Sequence, residues 1–372
     1  IGYFYRLDTQ GVWLFRALVI SFFLSSLKTI PSVLLERKLA FELLIIPQLI
    51  ETLGFYVVAV LLAWQGMGIS SFTWAVLVRG IVGLVAIYIV SPWMPSVGFS
   101  RNVARRLLRF GVPFQLNSFL GLLKDDLLTV YLGKVLPFAQ VGYIGWAKKW
   151  AEVPLRLIMD SVIRVTFPAF SRMQHMTKLL GSAIEKTIFG LAATIFPISV
   201  GLLFFVEPMV RIIPRYGKWE PAIVSFYFFV VAGVVASLST PLTNALNAIG
   251  KIKITLRLMV FWTISSWVLV TLFITVFGFS GVSIASALLG LSLFIVIYLT
   301  RKVVPFAFLP NIVGPIFAAG AEARWFMAVR GNAPYSLVRL GFAGAGGVIL
   351  YGAVLWLVER KKISDVFRYA KT

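Results

Sequence analysis

Residues 147–172 read AKKWAEVPLRLIMDSVIRVTFPAFSR, and within them Lys148, Glu152, Arg156, Asp160 and Arg164 follow at intervals of four with alternating sign. On an α-helix each such step advances about 40°, so these side chains fan over about 160° of one face, with Lys149 inside the same arc. Trp150, Leu155, Leu157, Ile158 and Val162 fall on the other side. Lys148, Lys149, Arg156 and Arg164 outnumber Glu152 and Asp160 by two charges, a surplus that suits an anionic ligand.

A second charged group precedes this one, in GLLKDDLLTVYLGK, where Lys124, Asp125 and Asp126 sit between apolar residues. A buried carboxyl with no fixed cation can exchange a proton, so Asp125 and Asp126 are candidates for coupling to H+ or Na+. Pairing with Lys124, Lys148 or Arg156 is the alternative. Arg16, Glu51 and Arg79 are charges in the first three apolar stretches. Arg16 and Arg79 either add positive charge to that bundle or reach back to its interfaces. Asn117, Asn244 and Asn247 are placed either to hydrogen-bond sugars or to tie helices together.

The elements that must carry these residues are set by composition. Of 372 residues 59% are hydrophobic and 13% charged, with 32 Phe and 11 Trp. Mean hydropathy is +0.92. Such a chain has too little charge for a soluble surface, and the bilayer becomes its solvent. The net charge of +21 could suggest nucleic acid, but the basic residues cluster in short segments between apolar runs, which is the positive-inside pattern of a membrane protein. Cysteine is absent and His175 stands alone, so no disulfide framework and no zinc site built on His and Cys is available. No P-loop, haem pattern or HExxH occurs, and no loop is long enough for a typical glycosyltransferase or polymerase site. These absences point away from an enzyme.

Apolar stretches bounded by Gly, Pro or charge predict about eleven spans, near 12–34, 41–64, 72–94, 106–133, 138–167, 183–206, 222–247, 255–277, 280–302, 309–329 and 338–358. Two of them, 106–133 and 138–167, carry the charges described above. A third, 309–329, is interrupted by Pro310 and Pro315. An unpaired charge near the bilayer centre costs roughly 2.5–3.5 kcal/mol on insertion scales, so the ladder should face a bundle interior or a water-filled cavity. Alternatively Lys148, Lys149 and Arg164 reach the two interfaces while Glu152, Arg156 and Asp160 form a structural network. Sorted alternately, the connecting segments give one consistently basic set, including ERKLAF, FSRNVARRLLR, GKIKITLR and the tail ERKKISDVFRYAKT. That side is expected to be cytoplasmic, with the C-terminus on it. An odd span count then puts the visible N-terminus outside. Together with an opening Ile1, this fits a chain lacking about three earlier spans. Pro47, Pro113, Pro154, Pro197 and Pro241 mark candidate bends.

The stretches PSVLLERKLAF, RRLLRFGVPFQ, LGKVLPFAQVGYIGWAKKWAEVPLRLI, FPAFSRMQ, GKWEPA and NALNAIGKIK occur in an order that resembles the polysaccharide-biosynthesis membrane proteins of the MOP superfamily, the Wzx-type oligosaccharide flippases. The colanic-acid and teichuronic-acid exporter branch is the most similar. The resemblance implies an all-α polytopic membrane protein of two six-helix lobes followed by two more spans. On that pattern residues 1–95 are the remainder of the N-lobe, 96–105 a basic cytoplasmic connector, 106–302 the C-lobe, and 303–372 two additional spans with a basic tail. It implies translocation of an undecaprenyl-diphosphate-linked oligosaccharide from the inner to the outer leaflet of the bacterial cytoplasmic membrane by alternating access. Its partners would be that lipid, membrane lipids, and a glycan polymerase with export machinery, and no nucleic acid. Arg156, Lys148, Lys149, Arg164, Lys124, Arg16 and Arg79 would then neutralise the diphosphate, and Asp125, Asp126, Glu152, Asp160 and Glu51 would serve coupling or structure. No cofactor is expected beyond H+ or Na+. A lipid II or multidrug transporter of the same superfamily is the alternative, with a membrane glycan polymerase further off. The cationic surplus favours an anionic lipid over a cationic drug.

Overall fold

The structure, a computed structural model, describes residues 8–37, 40–94, 98, 100–330 and 336–369. Among these residues it contains helices and no strand. Long apolar segments have no water to satisfy their backbone in a bilayer, and a helix pairs each N–H and C=O within the segment.

The chain divides into two compact units, Ile1–Gly111 and Val112–Thr372. In the first lie α1 (Thr9–Arg37), α2 (Phe41–Trp64) and α3 (Ile69–Val90). Helix α3 packs along both α1 and α2, which meet each other only briefly. The α2–α3 reversal uses Gly66 and Gly68 at φ +83° and +56°, a left-handed backbone that side chains resist. Helix α4 (Arg101–Val135) begins in the first unit and ends in the second.

The second unit holds α5 (Phe138–Arg172), α6 (Thr177–Ile212), a 3-10 turn at Tyr216–Ala222, α7 (Ile223–Ala248) and α8 (Ile252–Phe277). It continues with α9 (Gly281–Gly290), α10 (Leu293–Arg301), α11 (Leu309–Arg330) and α12 (Leu337–Tyr369). Helix α7 lies at its heart. One cluster joins Leu242 and Ala245 of α7 to Ile184, Ile188 and Ala192 of α6, Val296 of α10 and Ala318 of α11. Another joins Phe226 and Val230 of α7 to Ala147 of α5, Ile274 of α8 and Val282 of α9. Lipid tails are as apolar as these side chains, so close packing through small residues, not escape from water, holds such helices together. Phe22, Trp64, Ile89, Ile349 and Leu357 stand exposed on the outer surface, as side chains facing lipid do.

Each predicted span has its helix, with three differences. The stretch 280–302 is two helices, α9 and α10, broken at Leu291 and Ser292. There Gly290 lies against Val235 of α7, and Trp262 Nε1 of α8 donates to Ser292 Oγ at 2.8 Å. The stretch 309–329 is one continuous helix: Pro310 occupies the first turn, where a missing N–H costs nothing. Helix α12 runs beyond residue 358, but Glu359 has a non-helical backbone (φ −121°, ψ 28°), so the axis breaks where the predicted span ends. Among the described residues, eight segments are long and apolar enough to cross a membrane, one of which, Ile252–Arg301, contains two predicted spans. Helices α4 and α5 fall outside that set, interrupted by polar and charged residues.

Candidate functional site: charged helix faces

Helix α5 is positioned by one apolar stripe. Ala147, Ala151, Leu155 and Met159 recur every four residues and are buried, the last two against Leu191 and Ile195 of α6. Lys148, Glu152, Arg156 and Asp160 each stand one position further on, about 100° around the axis. The stripe therefore fixes the direction of the ladder. Glu152 is half-buried, whereas Lys149, Arg156, Asp160 and Arg164 are exposed, Arg156 with 69% of its side chain accessible.

Two ion pairs tie the ladder down. Arg156 Nη2 donates to Glu152 Oε2 at 3.0 Å, one turn apart on α5. Lys148 Nζ lies 3.8 Å from Asp125 Oδ1 and bridges α5 to α4. Asp160, Arg164, Lys149, Lys124 and Asp126 make no ion pair within 4 Å among the described residues. Of the network that spacing permits, one rung forms, and Asp160 stands apart from Arg156. A pair as exposed as Glu152–Arg156 contributes about 0.3–0.5 kcal/mol at most, too little to explain a charged face as a stabilising device.

The first unit builds a different cluster. Lys28 of α1 donates to Glu51 Oε2 of α2, with side chains only 17% and 14% exposed. Arg79 Nη2 of α3 approaches Glu51 Oε1 at 3.8 Å. Three helices thus converge on one carboxylate, and the sum is one positive charge carried toward the surface by Arg79, about half exposed. Gly83 of α3 makes room: a Cβ there would run into Glu51 Oε2 and stand 3.0 Å from Lys28 Nζ. Arg16 is separate, with its guanidinium 5.0 Å from the Trp13 ring centre.

Asn247 accepts from Thr255 Oγ1 at 2.7 Å and so ties α7 to α8. Asn244 Nδ2 is buried without a partner. The side chain of Asn117 lies outside the described residues. Among the described residues no three Asp, Glu, His or Cys side chains gather to hold a metal ion.

Lys28 and Glu322 escape a reading by spacing. Lys28 finds Glu51 across two helices, 23 residues away. Glu322 is the one acid in the span 309–329, and it is buried. In both cases the available signal is a charge set among apolar residues; Lys28 is answered by Glu51 on another helix, and Glu322 is not answered among the described residues.

Helices of membrane length, an interior filled with small and apolar side chains, and charge confined to selected helix faces define a polytopic all-α membrane protein. A family described as Polysaccharide biosynthesis protein matches residues 1–224. The chain belongs to this family. It is 27% identical over 172 residues to the lipopolysaccharide biosynthesis protein WzxC of Escherichia coli K12, covering 46% of this chain and 35% of that protein. It is also 27% identical over 163 residues to the succinoglycan biosynthesis transport protein ExoT of Rhizobium meliloti, covering 44% of this chain and 33% of that one. The matches thus span about a third of either relative. Among solved structures, the lipid II flippase MurJ in an inward closed conformation superposes with a TM-score of 0.73 over 92% of this chain and 73% of MurJ, at 13% identity. That likeness establishes a shared fold. Family membership agrees with the expectation of a Wzx-like membrane protein that is not an enzyme.

Proposed function

We propose that the protein moves an undecaprenyl-diphosphate-linked oligosaccharide from the inner to the outer leaflet of the bacterial cytoplasmic membrane. The observation that carries this reading is the exposed cationic face of α5, where Lys148, Lys149, Arg156 and Arg164 outnumber Glu152 and Asp160 in an otherwise apolar chain. Charge of this kind is expensive in a bilayer and is retained where it meets water or a charged ligand. A diphosphate offers acceptor oxygens to guanidinium and ammonium donors, and charge-assisted hydrogen bonds offset the loss of water around both partners. The prenyl tail stays in lipid while the sugar crosses beside the charged face, exposed to each leaflet in turn by alternating access. The names of relatives lend support: one is a transport protein of succinoglycan biosynthesis, and the shared fold is that of a lipid II flippase. Lipid II, which also carries a diphosphate, is the second cargo that the fold favours.

The test is leaflet transfer in liposomes containing the full protein and a labelled undecaprenyl-diphosphate oligosaccharide. Arg156→Ala removes a charge-assisted contact worth about 1.5–3 kcal/mol, so transfer should fall roughly 10- to 100-fold in a variant that folds normally. Competition with unlabelled lipid II separates the two cargoes. Wild-type protein that transfers neither lipid, with its fold intact, overturns the proposal.

A further inference from the structure

The charged faces leave one acid unaccounted for. Glu322 of α11 is 1% exposed, its Oε2 is buried without a hydrogen-bond partner, and no cation pairs with it among the described residues. It stands about 20 Å along the helix from Leu309 and about 12 Å from Arg330, about one turn from the middle of a membrane-length segment. Nothing in the charge ladder or the Lys28–Glu51–Arg79 cluster involves it.

Its surroundings are closed by three helices. Helix α12 approaches through Gly346 and Gly347: a Cβ on Gly347 would stand 2.7 Å from the Phe326 ring and 3.5 Å from Glu322 Cγ. Phe326, one turn from Glu322, stacks on Phe204 of α6 with ring centres 4.5 Å apart. Tyr351, one turn beyond Gly347 on α12, donates its hydroxyl to the Ala193 carbonyl of α6 at 2.9 Å. Among the described residues, the other charged side chains of these helices have their own settings. On α6, Glu185 accepts from Ala307 N near the start of the helix, and Glu207 pairs with Arg211 near its end. On α12, Arg339 donates to the Val329 carbonyl, while Lys362 pairs with Glu359 beyond the break. Lys186 and Lys178 are set near the first turns of α6, Arg360 lies over Trp356, and Lys361 is exposed past the break. Arg324 of α11 is exposed.

A carboxylate in this position would hold a full charge in a low-dielectric interior with neither cation nor N–H donor to answer it. A carboxylic acid at the same place carries no net charge. We propose that Glu322 is a proton-binding site, occupied at neutral pH when α6, α11 and α12 are packed as seen here. The site is distinct from the cationic faces assigned to the diphosphate, and the proposal does not rest on that assignment.

The full protein in lipid vesicles at pH 7 is treated with the apolar reagent dicyclohexylcarbodiimide, and the peptide bearing Glu322 is weighed. A protonated carboxyl adds its O–H across one C=N bond of the reagent to give an O-acylisourea. This rearranges to an N-acylurea with the whole reagent retained and nothing lost. Labelling of Glu322 is expected, together with an infrared carbonyl band of a protonated acid that disappears in Glu322→Gln. The amide variant preserves the neutral shape and is expected to melt within a few degrees of the wild type. Absence of the infrared band in wild-type protein overturns the proposal, whatever the labelling shows, because the band needs no reagent access. A sharp fall in melting temperature for Glu322→Gln also overturns it, because a neutral isostere would then fail to replace the native form.

Discussion

Glu51 and Glu152 both accept from a cation in an apolar chain, yet they carry different burdens. Glu51 is enclosed by three helices and answers Lys28, whose own side chain is nearly buried; Glu152 answers an arginine that is mostly accessible. Removing one partner of a buried pair leaves the other charge uncompensated, whereas an exposed pair loses little. Glu51→Gln should therefore lower unfolding stability by about 2–4 kcal/mol, and Glu152→Gln by less than about 0.5 kcal/mol. Denaturant titration of the two variants checks the contrast, and equal losses would remove the distinction. At this scale the sequence is half legible. The α5 ladder is visible because its partners are four residues apart on one helix, the interval that periodicity reveals. The Lys28–Glu51 pair is hidden because tertiary packing brings the two together, and Glu322 because its isolation shows only when α6 and α12 are in place around α11.

Helix α6 shows how an element is anchored by what it lacks. Gly181 lies directly under the Pro305 carbonyl, where a Cβ would strike backbone and not a movable side chain. One turn further, Glu185 Oε1 accepts from Ala307 N at 2.6 Å. Together they fasten the segment between α10 and α11 to the start of α6. Gly181→Ala forces that segment away and should cost about 1–3 kcal/mol, as overpacking does. Gly190→Ala on the same helix meets nothing within 4 Å and should be neutral or slightly stabilising. Thermal unfolding of the pair gives the comparison, and a silent Gly181→Ala would deny the anchor. Span positions were readable because a run of about 20 apolar residues has few other fates. The break between α9 and α10 was not, since the contacts made there come from Val235 and Trp262 on other helices.

For the whole molecule the controlling quantity is the distribution of charge along the chain. The basic connecting segments alternate with poor ones, and the tail ERKKISDVFRYAKT belongs to the basic set. The C-terminus should then face the cytoplasm. A green fluorescent protein fused there is expected to glow and a fused alkaline phosphatase to stay inactive; the opposite pattern would invert the assignment. The break at Glu359 carries a further consequence. From residue 337 to 358 the helix measures about 33 Å, close to the length of α3 and of α11. The tail helix is thus a gauge with a stop at one end. In a bilayer much thicker than about 30 Å the Glu359–Lys362 pair would be drawn toward hydrocarbon, and in a thinner one Leu357 would be left in water. Membrane thickness thereby becomes a variable that this protein can feel.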